Sequence, residues 1–245
     1  MNPVASSPQP ARILEPPIPS AALFWTLTVS TIGVFTASSL LILYVGAPLD
    51  SQLTTLGLWQ LIAAELVLTC VWLPILRRRG WSLACVTVPP MIADVARGLG
   101  LMALCYGAVW LTLSLLSSVV PALRESIQAA LRESTKTASI GVAPSLSSVL
   151  AVSIVNPTAE EFLHLGFLTN VLRRHGEGLA VAASVLSRVL THLYQGPVGV
   201  LNVAMAGATL GVYYYRSSRL WPVIIAHSFV DVLALAIIRS HAGSG

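Results

Sequence analysis

Seven apolar runs recur along the chain, at 21 to 46, 54 to 76, 97 to 121, 138 to 171, 179 to 196, 198 to 215 and 221 to 238. Most are close to the roughly 17 to 25 residues that cross a ~30 Å hydrocarbon layer. The pattern predicts an all-α fold, a polytopic membrane bundle of about seven transmembrane helices, with a fourth run long enough to hold a break. The stretch 81 to 90 is too short and too proline-marked to span, and reads as interfacial. Residues 121 to 136, PALRESIQAALRESTK, show helical periodicity with charges on one side and read as a surface helix. Residues 1 to 20 carry six prolines, a composition that favours a disordered tail. The organisation is therefore a Pro-rich tail at 1–20, N-terminal transmembrane helices with interfacial segments at 21–136, and a core at 137–240 that holds the candidate chemistry.

Composition agrees with this reading. Of 245 residues, 55% are hydrophobic and 10% charged, against about 25% charged in a soluble domain, and the mean hydropathy is +0.78. A net charge of +4 would raise nucleic acid as a partner for a soluble protein, but here the arginines fall between apolar runs and no nucleic acid is expected. With the N-terminus in the cytoplasm, the inner side receives Arg12, Arg77, Arg78, Arg79, Arg97, Arg173, Arg174, Arg216 and Arg219, and the outer side Arg124, Arg132, Lys136 and Arg239. Nine against four fits the positive-inside rule, which puts the C-terminus outside a cell membrane. No cleavable signal peptide is expected, and the first span serves as the insertion signal. Cys70, Cys85 and Cys105 lack metal-ligand spacing and read as small core residues. Nothing in the pattern fixes an oligomeric state.

Against this background a few polar residues stand out. Residues 156 to 167 read Asn-Pro-Thr-Ala-Glu-Glu-Phe-Leu-His-Leu-Gly-Phe, placing Glu160 and Glu161 at membrane depth, where an ionisable group is costly enough to suggest a function. His192 follows in the fifth run, and His227 with Asp231 one helical turn on in the seventh. Residues four apart share a helix face, so Glu160 lies beside His164, Arg188 beside His192, and His227 beside Asp231. A carboxylate and an imidazole that share a water can take its proton and leave hydroxide. A second imidazole could donate to the oxygen of an attacked carbonyl. These parts suit hydrolysis of a peptide bond. Glu65 and Gln60 in the second run read as interhelical hydrogen-bond partners, Glu65 being also a second possible partner for Arg188. Asn202 reads as packing, the Gly207-x-x-x-Gly211 pair as close helix contact, and Tyr213, Tyr214, Tyr215, Trp81 and Trp221 as interface anchors.

Residues 155 to 235 resemble the CPBP intramembrane glutamic endopeptidases, the CAAX prenyl protease type 2 and bacteriocin-processing family. Three motifs carry the resemblance. The first, usually Glu-Glu-x-x-x-Arg followed by Gly, reads Glu160-Glu161-Phe162-Leu163-His164-Leu165-Gly166. The second, usually Phe-x-x-x-His, reads Arg188-Val189-Leu190-Thr191-His192, and the third, His-x-x-x-Asn or Asp, reads His227-Ser228-Phe229-Val230-Asp231. The resemblance implies a metal-free endopeptidase, without a cofactor, acting on a membrane-associated protein or peptide in the bilayer. In it Glu160 and His192 would activate water, while His227 and Asp231 would stabilise the oxyanion, Asp231 either donating as an acid or orienting His227. Two histidines and a glutamate could instead ligate zinc, a reading ranked lower because no tight His-x-x-x-His pair exists.

Two positions depart from the family pattern. Leu165 replaces the arginine of the first motif and Arg188 the phenylalanine of the second. The lost arginine would leave Glu161 uncompensated, so the cation is expected to have moved helices, with Arg188 neutralising Glu161 across a helix interface. His164 is expected to hydrogen-bond Glu160 or to fill space. The missing arginine also supports a competing reading, a catalytically silent scaffold or immunity protein that binds a peptide or partner. A transporter ranks third, without an inverted repeat to support it.

Overall fold

The structure, a computed structural model, describes residues 20–46, 53–81, 89–121, 124–125, 128–129 and 143–242. The tail at 1–20, the stretch 81–90 and the helix expected at 121–136 fall wholly or mostly outside them, as does Cys85. Seven helical segments make up the described chain, with no strand among the described residues. α1 runs Ala21–Val45, α2 Thr55–Arg78 and α3 Ile92–Val119. α4 begins at Leu146–Glu161 and continues without a break through Phe162–Thr169 and Asn170–Leu172. α5 is Glu177–Thr191, α6 Gly196–Ser217 and α7 Trp221–Ala242.

Among the described residues, four stretches are long and apolar enough to cross a membrane, α1, α2, α3 and Leu193–Ser217 around α6. α4, α5 and α7 hold the polar motifs, and Trp221–Ile237 in α7 is a shorter apolar helix. Large apolar side chains such as Trp25, Leu41, Val67 and Trp110 project outward, a surface suited to lipid. This is a multi-pass membrane protein.

Local chemistry explains the helix ends. Thr54 and Ser145 cap α2 and α4, each hydroxyl oxygen accepting a backbone N–H three residues on. α3 starts at Ile92 rather than 97, because Asp94 accepts the Met91 N–H at 2.9 Å and is neutralised by Arg97 at 3.2 Å and Arg219 at 2.9 Å. That hydrogen bond pushes the Arg219 guanidinium pKa upward. α4 starts at Leu146 rather than 138. Instead of the break its length allowed, it is continuous and widens to a π segment over Phe162–Thr169, in which Thr169 Oγ1 donates to the His164 carbonyl at 3.0 Å and Asn170 Nδ2 to that of Gly166 at 2.9 Å.

Three apolar clusters hold the bundle together, and α4 contributes to every one. Leu165 packs with Leu101, Leu210, Tyr214 and Val223. Phe167 and Leu168 pack with Leu27, Leu76 and Trp81, and Val149 and Val152 with Leu58, Ile62 and Leu235. Tyr214 and Trp81 therefore lie inside rather than anchoring the interface, the Tyr214 hydroxyl accepting from Asn170 at 2.8 Å.

α3 and α7 make the most extensive helix pair, closest at Gly98. A methyl there would lie 2.7 Å from Ile225 Cγ2 and 3.0 Å from the Pro222 carbonyl oxygen, which is main chain. Gly98→Ala is expected to destabilise the protein by about 1–3 kcal/mol in thermal unfolding in detergent. Gly100→Ala, where an added Cβ meets nothing within 4 Å, should leave the melting temperature unchanged or higher; equal effects of the two would refute a tight crossing.

Candidate active site

Four helices meet around one buried ion pair. Arg188 on α5 forks onto Glu161 on α4, Nη1 donating to Oε1 at 2.8 Å and Nη2 to Oε2. The two residues are 4% and 0% exposed. The cross-helix compensation expected from the sequence is thus formed, in the bidentate geometry that suits guanidinium and carboxylate. Leu165, where the family pattern has arginine, lies wholly within an apolar cluster. α6 makes room for the Arg188 stem at Gly207, where a Cβ would come within 3.0 Å of Arg188 Cδ. Gly207 therefore serves the ion pair, whereas Gly211 packs against Val181.

The same pair sets both histidines. His227 Nδ1 donates to Glu161 Oε1 at 2.8 Å, which leaves Nε2 facing Asp231 Oδ1 at 3.6 Å. Glu161 is thus the closer carboxylate orienting His227, where the sequence suggested Asp231. The main-chain carbonyl of Arg188 accepts from His192 Nδ1 at 2.9 Å. A carbonyl can only accept, so Nδ1 carries the hydrogen and Nε2 is left as an acceptor. That Nε2 points to Glu160 Oε1 at 3.6 Å.

Glu160, His192, His227 and Asp231 line one cavity of about 1160 Å³ with largely apolar walls drawn from all seven helices. His164 also reaches it, but its Nδ1 bonds to Ser187 Oγ on α5 at 2.7 Å rather than to Glu160. Ser187 went unnoticed in the sequence because a serine among apolar residues gives no signal. Asn156 went unassigned as well. It lies one turn before Glu160 and extends Nδ2 toward Asp231 Oδ2 at 3.5 Å, and its place on the Glu160 face was the usable clue. Among the described residues, no group of three His, Cys, Asp or Glu side chains is arranged to hold a metal ion.

Removing one partner of a buried ion pair strands the other's charge. Arg188→Met should therefore destabilise the protein by about 3–5 kcal/mol, and Arg188→Met with Glu161→Gln should cost clearly less than the two single changes combined. A double-mutant cycle on unfolding in detergent micelles measures this, and simple additivity would mean the pair carries no coupling.

Searches of curated proteins and of solved structures give no match for this chain. The family model of the Rce1-like type II CAAX prenyl endopeptidases matches residues 142–233, the segment from the start of α4 into α7 that carries Glu160, Glu161, Arg188, His192, His227 and Asp231. By that match the segment 142–233 is similar to the Rce1-like type II CAAX prenyl endopeptidases.

Proposed function

We propose that the protein is a metal-independent intramembrane glutamic endopeptidase that cleaves a membrane-associated protein or peptide. The observation that carries this reading is the facing of Glu160 Oε1 and His192 Nε2 at 3.6 Å. Two acceptors at that separation suit a water that donates to both. Glu160 takes one proton as the hydroxide attacks the carbonyl carbon, and His192 Nε2, its tautomer set by the Arg188 carbonyl, holds the other hydrogen and so aims the oxygen. His227, protonated at Nε2 and held at Nδ1 by Glu161, donates to the oxyanion. Asp231 and Asn156 position that imidazole. Glu160 then returns its proton to the leaving nitrogen.

The orientation is part of the proposal, with the N-terminus in the cytoplasm of a cell and the C-terminus outside. The joined cationic ends support it: Arg219 and Arg97 share Asp94, Arg216 binds Glu177 at 2.8 Å, and Arg173 donates to the Tyr215 carbonyl at 2.5 Å. A prenylated substrate is not required. The silent-scaffold reading rested on the arginine missing at Leu165, and Arg188 now occupies that electrostatic role.

The test is a comparison of membrane-protein processing in host cells carrying wild type, Glu160→Gln, His192→Ala or His227→Ala at matched levels. Each variant should lower cleavage by at least about 10²-fold, and chelators should leave wild-type cleavage unchanged. Processing that survives all three substitutions would sink the glutamic mechanism; loss on chelation that zinc restores would turn it toward a metal.

A further inference from the structure

Glu65 is a carboxylate that the mechanism above does not use. It sits in the middle of α2 and is 4% exposed. It lines the same cavity as Glu160, His227 and Asp231. Its Oε2 has no hydrogen-bond partner among the described residues. Burial of a carboxylate oxygen without a donor costs several-fold more than burial of an apolar group of the same size, so packing alone gives no reason for a glutamate here.

Among the described residues no lysine or arginine pairs with it, and His227 is already held by Glu161. Arg188 is the one Lys or Arg among the described residues that lines the cavity, and its fork is taken by Glu161. With that pair self-neutralised, the cavity presents Glu65, Glu160 and Asp231 to whatever enters. From α6, Asn202 adds a second buried acceptor, Oδ1, that also lacks a partner. Two orphaned acceptors in a chamber with largely apolar walls call for an occupant that brings hydrogen-bond donors, positive charge and an aliphatic body. A lysine or arginine side chain has all three, its methylene stem lying along apolar wall while the head reaches the carboxylate.

We propose that Glu65 forms a specificity subsite that accepts a basic side chain of the bound peptide, with Asn202 on another wall of the same cavity. This rests on the reading of the cavity as a peptide-binding site and adds which peptides it selects. Acidic residues at the corresponding substrate position are disfavoured by the three carboxylates. Apolar residues fit the walls but leave Glu65 unsatisfied.

The experiment separates binding from cleavage. Full-length protein carrying Glu160→Gln, in detergent micelles, is titrated with fluorophore-labelled hydrophobic peptides that differ only in one position, occupied by Lys, norleucine or Glu and moved stepwise along the sequence. At one position Lys should bind tighter than norleucine by about tenfold or more, with Glu weakest. Adding Glu65→Gln should abolish that preference, Glu65→Asp should weaken it without changing its sign, and Glu65→Arg should favour the Glu peptide. Indifference to Lys at every position, a preference that survives Glu65→Gln, or binding of none of the peptides overturns the proposal, and the first and last of these need no change at Glu65. The same panel incubated with wild type distinguishes this inference from the proposed activity. Glu65-dependent binding without cleavage leaves the subsite standing and fails the protease, while cleavage indifferent to charge does the reverse.

Discussion

The ion pair between Arg188 and Glu161 is the interaction on which the site depends. A carboxylate buried at membrane depth is tolerable only if neutralised, and Arg188 does this from a neighbouring helix with both of its terminal nitrogens. The consequences spread in both directions from the pair. On the acid side, Glu161 Oε1 has capacity left to accept from His227 on α7. On the base side, the main chain of the same arginine accepts from His192 one turn further along α5. Two imidazoles on different helices thus take their orientation from one pair, and α6 contributes by having no side chain at Gly207 where the arginine stem passes.

The helices that carry this chemistry pay in membrane compatibility and recover it through contact. α4 is the clearest case, since it holds Pro157, two adjacent glutamates and a π turn, yet contributes to all three apolar clusters. A helix surrounded by protein can hold polar and widened backbone that a lipid-facing one cannot. The more apolar α1, α2 and α3 expose many of their large side chains and form the outer wall. The division of labour follows from burial: site residues belong to segments whose neighbours are other helices.

Much of this was legible in the sequence, and the parts that were not share a physical cause. Span number and approximate limits follow from hydropathy, since a bilayer imposes its thickness on the chain. The relation between Glu161 and Arg188 was legible because an arginine within an apolar run and an uncompensated acid each call for a partner, although Glu65 offered Arg188 a second one. Contacts within one helix were easier to place than contacts between helices: His227 with Asp231 follows from four-residue spacing, whereas His164 with Ser187 depends on how α4 is rotated against α5. The same rotation decided that Tyr214 is wholly buried, although three consecutive tyrosines resemble an interfacial belt. The third run, read from 97, omitted the first turn of α3, where Asp94 is neutralised by two arginines, one of them from the turn before α7.

Moving the cation from α4 to α5 changes more than its address. An arginine four residues after Glu161 would satisfy it within one helix and leave α5 free to shift relative to α4. Supplied from α5, the same charge becomes a tether between the helix that carries Glu160 and the helix that carries His192. Glu160 adjoins Glu161, and His192 lies one turn beyond Arg188, so the tether is anchored within about one helical turn, ~5.4 Å, of both Glu160 and His192. The separation of Glu160 and His192 is then governed by a forked ion pair instead of by apolar packing alone, which tolerates sliding more readily than paired hydrogen bonds do. Leu165, freed of any ionic duty, joins Leu101, Leu210 and Val223 and tightens α4 against α3, α6 and α7. The two departures from the family motif are for this reason one compensated change, in which an intrahelical contact is exchanged for an interhelical one that also fixes the geometry between the two helices bearing the acid and the imidazole.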